Sequence, residues 1–478
     1  MIIKVLMKNP GIIFFFCLAL YSCIKPSKQE KQPYIIVIYT DDQRYDAAGF
    51  NGNEKIITPA LDKIAAKGVR FTNANVVFSL CSPSRAALLT GRYGSANGVL
   101  HLSSNLNSGE KTIAAYLQEA GYQTAVSGKW HIGQSPDSVG FDFYVYFEGN
   151  GSYYNRLIHD MGKEIKPEIH CDEYCVTRSI DFLKDASKIG KPFFLYHNTQ
   201  LPHMNGELVW DAKLETKEMY NQAELPVTLS RDDNLSEKPE HLKTVRNRTQ
   251  ALIYGYPDSV AIQNHTLDYY SVITEMDYAL ARLFETLDEL NLWENTYVFF
   301  MGDNGWMLGE HGFTSKVLPY RPSTRVPLFV VGPDLNPGEN NSLVMNIDIA
   351  PTILELAGIQ ISENIHGSSI LPLLRIKKSG WRESFVYEGL GDYGGTKPNL
   401  TVVSTDYRYI ETYQDNQLNQ IIYKELYNQK NDTDEMINLV DKPEMMGLIN
   451  SFQQKIIVHK RNILNEKLNS PNFQDKKL

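Results

Sequence analysis

Cysteine is scarce in this chain, with five in 478 residues. Cys17 falls in an N-terminal apolar run, Cys23 directly after it, and Cys81 in a motif of its own, so only Cys171 and Cys175 remain. That leaves little room for a disulfide framework. An excess of positive charge is missing as well: 47 Lys and Arg face 56 Asp and Glu, for a formal charge of -9. That balance argues against nucleic acid as a partner, and it requires any anionic ligand to be met by a local cluster of basic groups. The apolar run from Gly11 to Leu20 is too short to span a bilayer. Internal repeats and low-complexity tracts are also lacking. What is left, 42% hydrophobic and 22% charged, is the composition of an ordinary folded protein long enough for a large α/β unit and a smaller one.

The N-terminus has the parts of a secretory signal: Lys4 and Lys8, the apolar run, then a small residue before a break. Leu20-Tyr21-Ser22-Cys23 resembles a bacterial lipobox, with Tyr21 as a departure from it. This predicts a signal peptide over 1–22 and a lipid-anchored tether over 23–33 beginning at Cys23. Removing 1–22, which holds two lysines and no acid, leaves 45 basic against 56 acidic residues, or -11. No acids follow Cys23 directly, which favours a periplasm-facing lipoprotein over one at the cell surface.

Tyr34-Ile35-Ile36-Val37-Ile38-Tyr39 reads as a strand buried on both faces. It ends at Asp41 and Asp42, two adjacent carboxylates whose repulsion and desolvation a divalent cation would relieve. A second buried run, Thr296–Met301, ends in Gly302-Asp303-Asn304, so Asp303 and Asn304 offer further hard oxygen ligands. Between them lies Cys81-Ser82-Pro83-Ser84-Arg85, a thiol at a helix entrance where unpaired N–H groups and the helix dipole favour an anion. Further strands read from 191 to 199 and 328 to 332. Helices read from Thr58, as N-cap, to a closing Gly68; from 112 to 120; from Tyr269 to Leu290 with one apolar face; from 348 to 358; and from Pro443 to about Leu464. Cys171 and Cys175 lack a second ligand pair, and their spacing of four fits one helix face. Residues 205 to 262 show few periodic runs and read as an insertion over the site. From about Trp381, short alternating strands predict a small antiparallel sheet with one helix.

Cys81-x-Pro-Ser-Arg85 with Leu89-Thr90-Gly91-Arg92, Gly121-Tyr122-x-Thr124 with Gly128-Lys129-Trp130-His131, and Gly309-Glu310-His311-Gly312 with Lys316 together resemble the type I sulfatases of the alkaline phosphatase superfamily. The resemblance covers about 34 to 440. It implies a large mixed central β-sheet flanked by helices, assigned to 34–378, with a smaller C-terminal subdomain over 379–478. It also implies conversion of Cys81 to formylglycine by a maturase and one calcium ion held by Asp41, Asp42, Cys81, Asp303 and Asn304. Arg85, Lys129, Lys316 and His203 would neutralise sulfate oxygens, His203 would protonate the leaving oxygen, and His131 would take a proton as the aldehyde reforms. The implied activity is sulfate-ester hydrolysis on a sulfated glycan, with algal glycans such as ulvan favoured. Two other readings stay open: a phosphonate or phosphate-diester hydrolase, and a non-catalytic glycan-binding lipoprotein. One departure stands out. Many members of the family it resembles carry Tyr-Glu-x-Ser-x-Arg-Val-Pro where this chain has Tyr320-Arg321-Pro322-Ser323-Thr324-Arg325-Val326-Pro327.

Overall fold

A computed structural model describes residues 31–375, 380–391 and 393–464. The signal and lipobox expectations, including the anchor at Cys23, lie outside the described residues.

Ten strands form the main sheet: β1 (Tyr34–Thr40), β2 (Val69–Phe71), β3 (Gln123–Lys129), β4 (Phe143–Phe147), β5 (Ile158–Asp160), β6 (Lys163–Ile165), β7 (Phe193–Asn198), β8 (Thr296–Gly302), β9 (Leu328–Val331) and β10 (Gly338–Asn340). Their order across the sheet is β10-β2-β9-β8-β1-β7-β3-β4-β5-β6. The central five, β8-β1-β7-β3-β4, run parallel, while β9 is antiparallel to both β8 and β2. Every residue of β1 and β8 is buried, as continuous apolar runs in a covered parallel sheet require.

The alternation of β1 divides the core. Ile36 and Ile38 join one cluster with helices α1 (Pro59–Ala65), α4 (Cys171–Ile189) and α5 (Ser259–Glu289). Ile35, Val37 and Tyr39 join the other with α2 (Cys81–Thr90), α3 (Ile113–Glu119) and α6 (Ile349–Leu356). Helices on both faces leave the carboxyl ends of the parallel strands as the place for a site. A four-stranded antiparallel sheet, β11 (Ser384–Gly389) to β12 (Asn399–Ser404), β13 (Tyr407–Tyr413) and β14 (Ile421–Asn428), packs on α7 (Met446–His459) through Leu400, Val402, Tyr409, Phe452 and Ile456. The mixed α/β class expected from the sequence is the observed one.

Several local expectations need correction. Thr58 stands at the N-cap position of α1 but makes no capping bond there; its hydroxyl donates to Asp62 Oδ1 at 3.0 Å. The first N–H groups of α1 are taken by Asp277 of α5, whose carboxylate accepts from Ala60 N at 2.9 Å and Leu61 N at 2.7 Å. Gly68 does not close the helix. A Cβ there would meet Val330 O at 2.3 Å, so its role is close approach to β9. Helix α5 begins ten residues before Tyr269, started by the Asp258 side chain on Val260 N at 2.9 Å. Cys171 and Cys175 sit on α4 in an apolar cluster with Val145, Phe147 and Ile158, as plain helix packing predicts.

Candidate active site

Six stretches meet at the carboxyl edge of the sheet. β1 delivers Asp41 and Asp42, and Asp42 adopts φ 64, a left-handed conformation uncommon outside glycine. β8 delivers Asp303, whose Oδ1 accepts from Asp42 N at 3.0 Å, and Asn304, whose Nδ2 donates to Asp42 Oδ1 at 2.6 Å. Cys81 is the first residue of α2, and its Sγ lies 3.4 Å from Asp41 Oδ1. The end of β3 brings Lys129, and Lys316 directly follows the short antiparallel ribbon of Met307–Leu308 with Thr314–Ser315.

The two ammonium groups flank the thiol. Lys316 Nζ lies 2.6 Å and Lys129 Nζ 3.8 Å from Cys81 Sγ. Each also pairs with an acid, Lys316 with Asp42 and Lys129 with Asp41. His203 Nε2 stands 3.5 Å from Asp42 Oδ2, and its Nδ1 donates to Met204 O at 2.6 Å. These groups are all at least nine-tenths buried.

Arg85 sits beneath the acids. Its Nε and one Nη donate to Asp303 Oδ2 at 3.1 and 2.8 Å, and the other Nη donates to Lys129 O and Asn198 Oδ1, each at 3.1 Å. Most of its donors are therefore taken by the protein, so the structure gives it the task of holding Asp303 in place. Contact with sulfate oxygens, the task the sequence assigned it, would need donors that these bonds occupy. His131 is buried with φ 62, and its Nδ1 has no hydrogen-bond partner.

The electrostatics follow from this crowding. Burial would raise Asp41, yet Lys129, His203, Lys316 and Arg85 together hold it well below the usual carboxylate range. Asp303 moves the other way, pushed up to about 7 by burial and by the charge of Asp41. Burial and Asp41 push the Cys81 thiol up to about 12 against the pull of both lysines. Burial pushes His203 down to about 4, and burial with Lys129 pushes His131 down to about 2.

A cation fits here by two observations. Oxygens of Asp41, Asp42 and Asp303 lie within 4.8 Å of one another. Asp42 Oδ2 and Asn304 Oδ1 are buried and accept no hydrogen bond. Hard oxygen donors at this spacing suit a divalent ion such as calcium.

Other side chains complete the setting without a sequence motif to mark them. Asn150 Oδ1 accepts from Lys129 Nζ at 2.6 Å. Asn247, in the segment read as an insertion, donates to Thr314 O at 2.7 Å and Lys316 O at 2.9 Å. Tyr387 of β11 bonds Ser79 Oγ at 2.8 Å and donates to Val317 O at 2.9 Å, which ties the small sheet to both the thiol loop and the Lys316 loop. A polar residue whose partner is dozens to hundreds of positions away carries no local signal.

Comparison with known proteins agrees with the geometry. The sulfatase family model matches residues 33–359, and the model of the C-terminal part of N-sulphoglucosamine sulphohydrolase matches 309–462. An N-acetylglucosamine-6-O-sulfatase of Bacteroides thetaiotaomicron is 29% identical, with 93% of this chain and 89% of that protein covered. An ulvan-active sulfatase of Formosa agariphila is 27% identical over 93% of this chain and 85% of its own length. A structure solved with its substrate D-glucosamine-2-N,6-O-disulfate superposes with TM-score 0.81 at 26% identity, covering 93% of this chain and all of the other. With two thirds of its length matched by the family model and its motif residues gathered at one strand edge, the chain belongs to the sulfatase family and is a sulfuric ester hydrolase.

Proposed function

We propose that this chain removes a sulfate ester from a glucosamine-type sugar of a sulfated glycan, with Cys81 as the position converted to formylglycine and calcium as the cation. The observation that carries the reading is the placement of Cys81 at the start of α2 between two buried ammonium groups and beside three carboxylates. When present, formylglycine supplies a hydrated aldehyde as nucleophile and calcium supplies Lewis-acid charge opposite the sulfate oxygens. Asp41, Asp42, Asp303 and Asn304 would hold the ion together with the side chain at 81.

The chain's own residues do the rest. Lys129 and Lys316 present fixed positive charge where the sulfate oxygens gather negative charge, and water is excluded there, so the stabilisation is large. Met204 O fixes Nδ1 of His203 as a donor. Its Nε2, facing Asp42, therefore carries a proton only in the imidazolium form, which the charges of Asp42 and Asp41 favour, and in that form it is the nitrogen that passes a proton to the departing sugar oxygen. His131 Nδ1, buried and unpartnered, is the acceptor for the proton released as the residue at 81 is regenerated.

The sugar is drawn from the N-acetylglucosamine-6-O-sulfatase relative and from the similar structure solved with a glucosamine disulfate. The ulvan-active relative keeps algal glycan, the preference stated from sequence, as the second substrate to try. The test pairs the mass of the Cys81 peptide, from protein produced with a maturase, with sulfate release from 6-O-sulfated N-acetylglucosamine and from ulvan oligosaccharides. A formylglycine mass with release from the glucosamine sulfate, both lost in Cys81→Ala, is expected. An unmodified thiol in protein from its native host, or turnover confined to phosphate or phosphonate esters, would overturn it.

A further inference from the structure

A second basic site opens on the same edge of the sheet. It is a cavity of about 230 Å³ whose wall includes Arg321, Arg325, Arg408, Lys430, Asn75 and Gln429, and no aspartate or glutamate lines it among the described residues. In a chain of net charge -9, so concentrated a positive wall calls for an explanation. Two of the four cations are neutralised from outside the cavity, Arg408 by Glu435 at 2.7 Å and Lys430 by Asp406 at 2.9 Å. Among the described residues, the guanidinium groups of the other two form no ion pair with a carboxylate. The Arg321 guanidinium donates to Gln429 O at 3.4 Å while its backbone N donates to Glu435 Oε2 at 2.9 Å, and Arg325 donates to Thr72 O, at 3.0 Å from its Nε. The Gln429 amide nitrogen is buried without an acceptor. Burial and the neighbouring Arg321 lower Arg325 to about 10, the signature of two like charges held close in partial burial.

The position of the cavity is set by topology. β9 starts, and β2 ends, at the edge where β8 delivers Asp303, because β9 is antiparallel to both. β2 lies two strand spacings from β8, roughly 10 Å at about 4.8 Å each. The partition between site and cavity is the single turn Arg321–Thr324. Its Ser323 donates to Ser79 Oγ at 2.9 Å and accepts from Gly305 N at 2.8 Å, beside the cation-ligand candidates, while its Arg321 lines the cavity. Arg325 stacks on Tyr45, 3.5 Å from the ring centre and three residues past Asp42.

We propose that this cavity receives a second anionic group of the same glycan, a sulfate or uronate carboxylate on a sugar beyond the one being desulfated, and so selects multiply charged oligosaccharides over single sulfated sugars. Guanidinium pairs without carboxylates suit planar or tetrahedral oxyanions, and an unpartnered amide adds a neutral donor. The inference rests on the sulfatase reading for its substrate, yet its test does not depend on turnover. A heparin-derived tetrasaccharide is titrated calorimetrically into the full chain carrying Cys81→Ala, with and without Arg321→Glu, and inorganic sulfate is titrated in parallel. In active protein, kcat and KM are compared on the tetrasaccharide and on 4-nitrophenyl sulfate.

Loss of one charged contact should weaken tetrasaccharide binding by about tenfold or more. KM for the tetrasaccharide should rise to match, with turnover of the aryl sulfate unchanged. Arg321→Gln and the exposed Lys430→Glu give the same reading if the first variant folds poorly. Unchanged tetrasaccharide affinity overturns the proposal, as does an equal loss on both esters, or a saturable inorganic sulfate site that vanishes while the tetrasaccharide is unaffected. Failure of the native chain to cleave any sulfate ester would instead strike the functional reading, and the binding titration would still decide the cavity.

Discussion

Arg85 and Lys316 carry the same charge into the same cluster, and their surroundings give them different work. The Arg85 guanidinium and the Asp303 carboxylate are both fully buried, joined by two bonds to one oxygen. Removing the cation would strand a buried carboxylate beside Asp41, a loss of about 3–5 kcal/mol for a broken buried pair. Arg85→Leu should therefore lower the urea midpoint sharply, and Arg85→Lys, which keeps the charge but not the fork, should recover only part of it. Urea unfolding followed by fluorescence measures this, and an unchanged midpoint would refute the positioning role. Lys316→Met should act on the other quantity, lowering kcat by about a hundredfold as an electrostatic donor to the transition state is lost. At this scale the sequence was most legible for Asp41, Asp42, Asp303 and Asn304. Each ends a buried apolar run, where a bare carboxylate has no cheap explanation. Asn150, Asn198 and Asn247 were not legible, because a single amide near no motif reads as ordinary loop polarity until the fold brings its partner.

Among the elements, α5 does more than cover the sheet. Asp277 sits in its middle, buried, and spans to the start of α1, doing the capping that Thr58 seemed placed to do. Burial pushes this carboxyl up to about 7, only partly opposed by the two N–H groups it accepts from. A folded pKa raised above the unfolded value of about 3.9 adds stability at low pH and loses it as pH rises through the folded pKa. The advantage of the native chain over Asp277→Asn should therefore shrink steadily between about pH 4 and pH 7, read as the difference in Tm of the two proteins across that range. A constant difference would show that the carboxyl titrates normally. The strands and the apolar face of α5 were readable because periodicity is local. Its first ten residues were not, since Ser259 to Asp268 hold a weaker apolar stripe, and a side-chain cap at Asp258 rather than hydrophobic spacing sets where the helix starts.

Across the whole molecule, the acidic cluster joins β1 to β8 at one edge, so a bound cation would stabilise the fold as well as the reaction. Calcium at a hundredfold excess over its Kd adds about 2.7 kcal/mol to a state that binds it only when folded. Tm should rise with added calcium, fall with a chelator, and become indifferent to both in Asp42→Asn; a calcium-independent Tm in the native chain would remove Asp41, Asp42, Asp303 and Asn304 as an ion cage. The small C-terminal sheet was legible as a sheet. Its grip on the site was not, because hydrogen bonds between positions 79 and 387 leave no trace in either stretch alone.

That grip also sets a clock. Ser79 and Tyr387 are 308 positions apart. A ribosome adding about 5–20 residues per second needs roughly 15–60 s to travel from one to the other. Throughout that interval the loop that ends in Cys81 has been made and its clasp has not. The thiol, which the finished fold seals from solvent, passes its first moments where another macromolecule can still reach it.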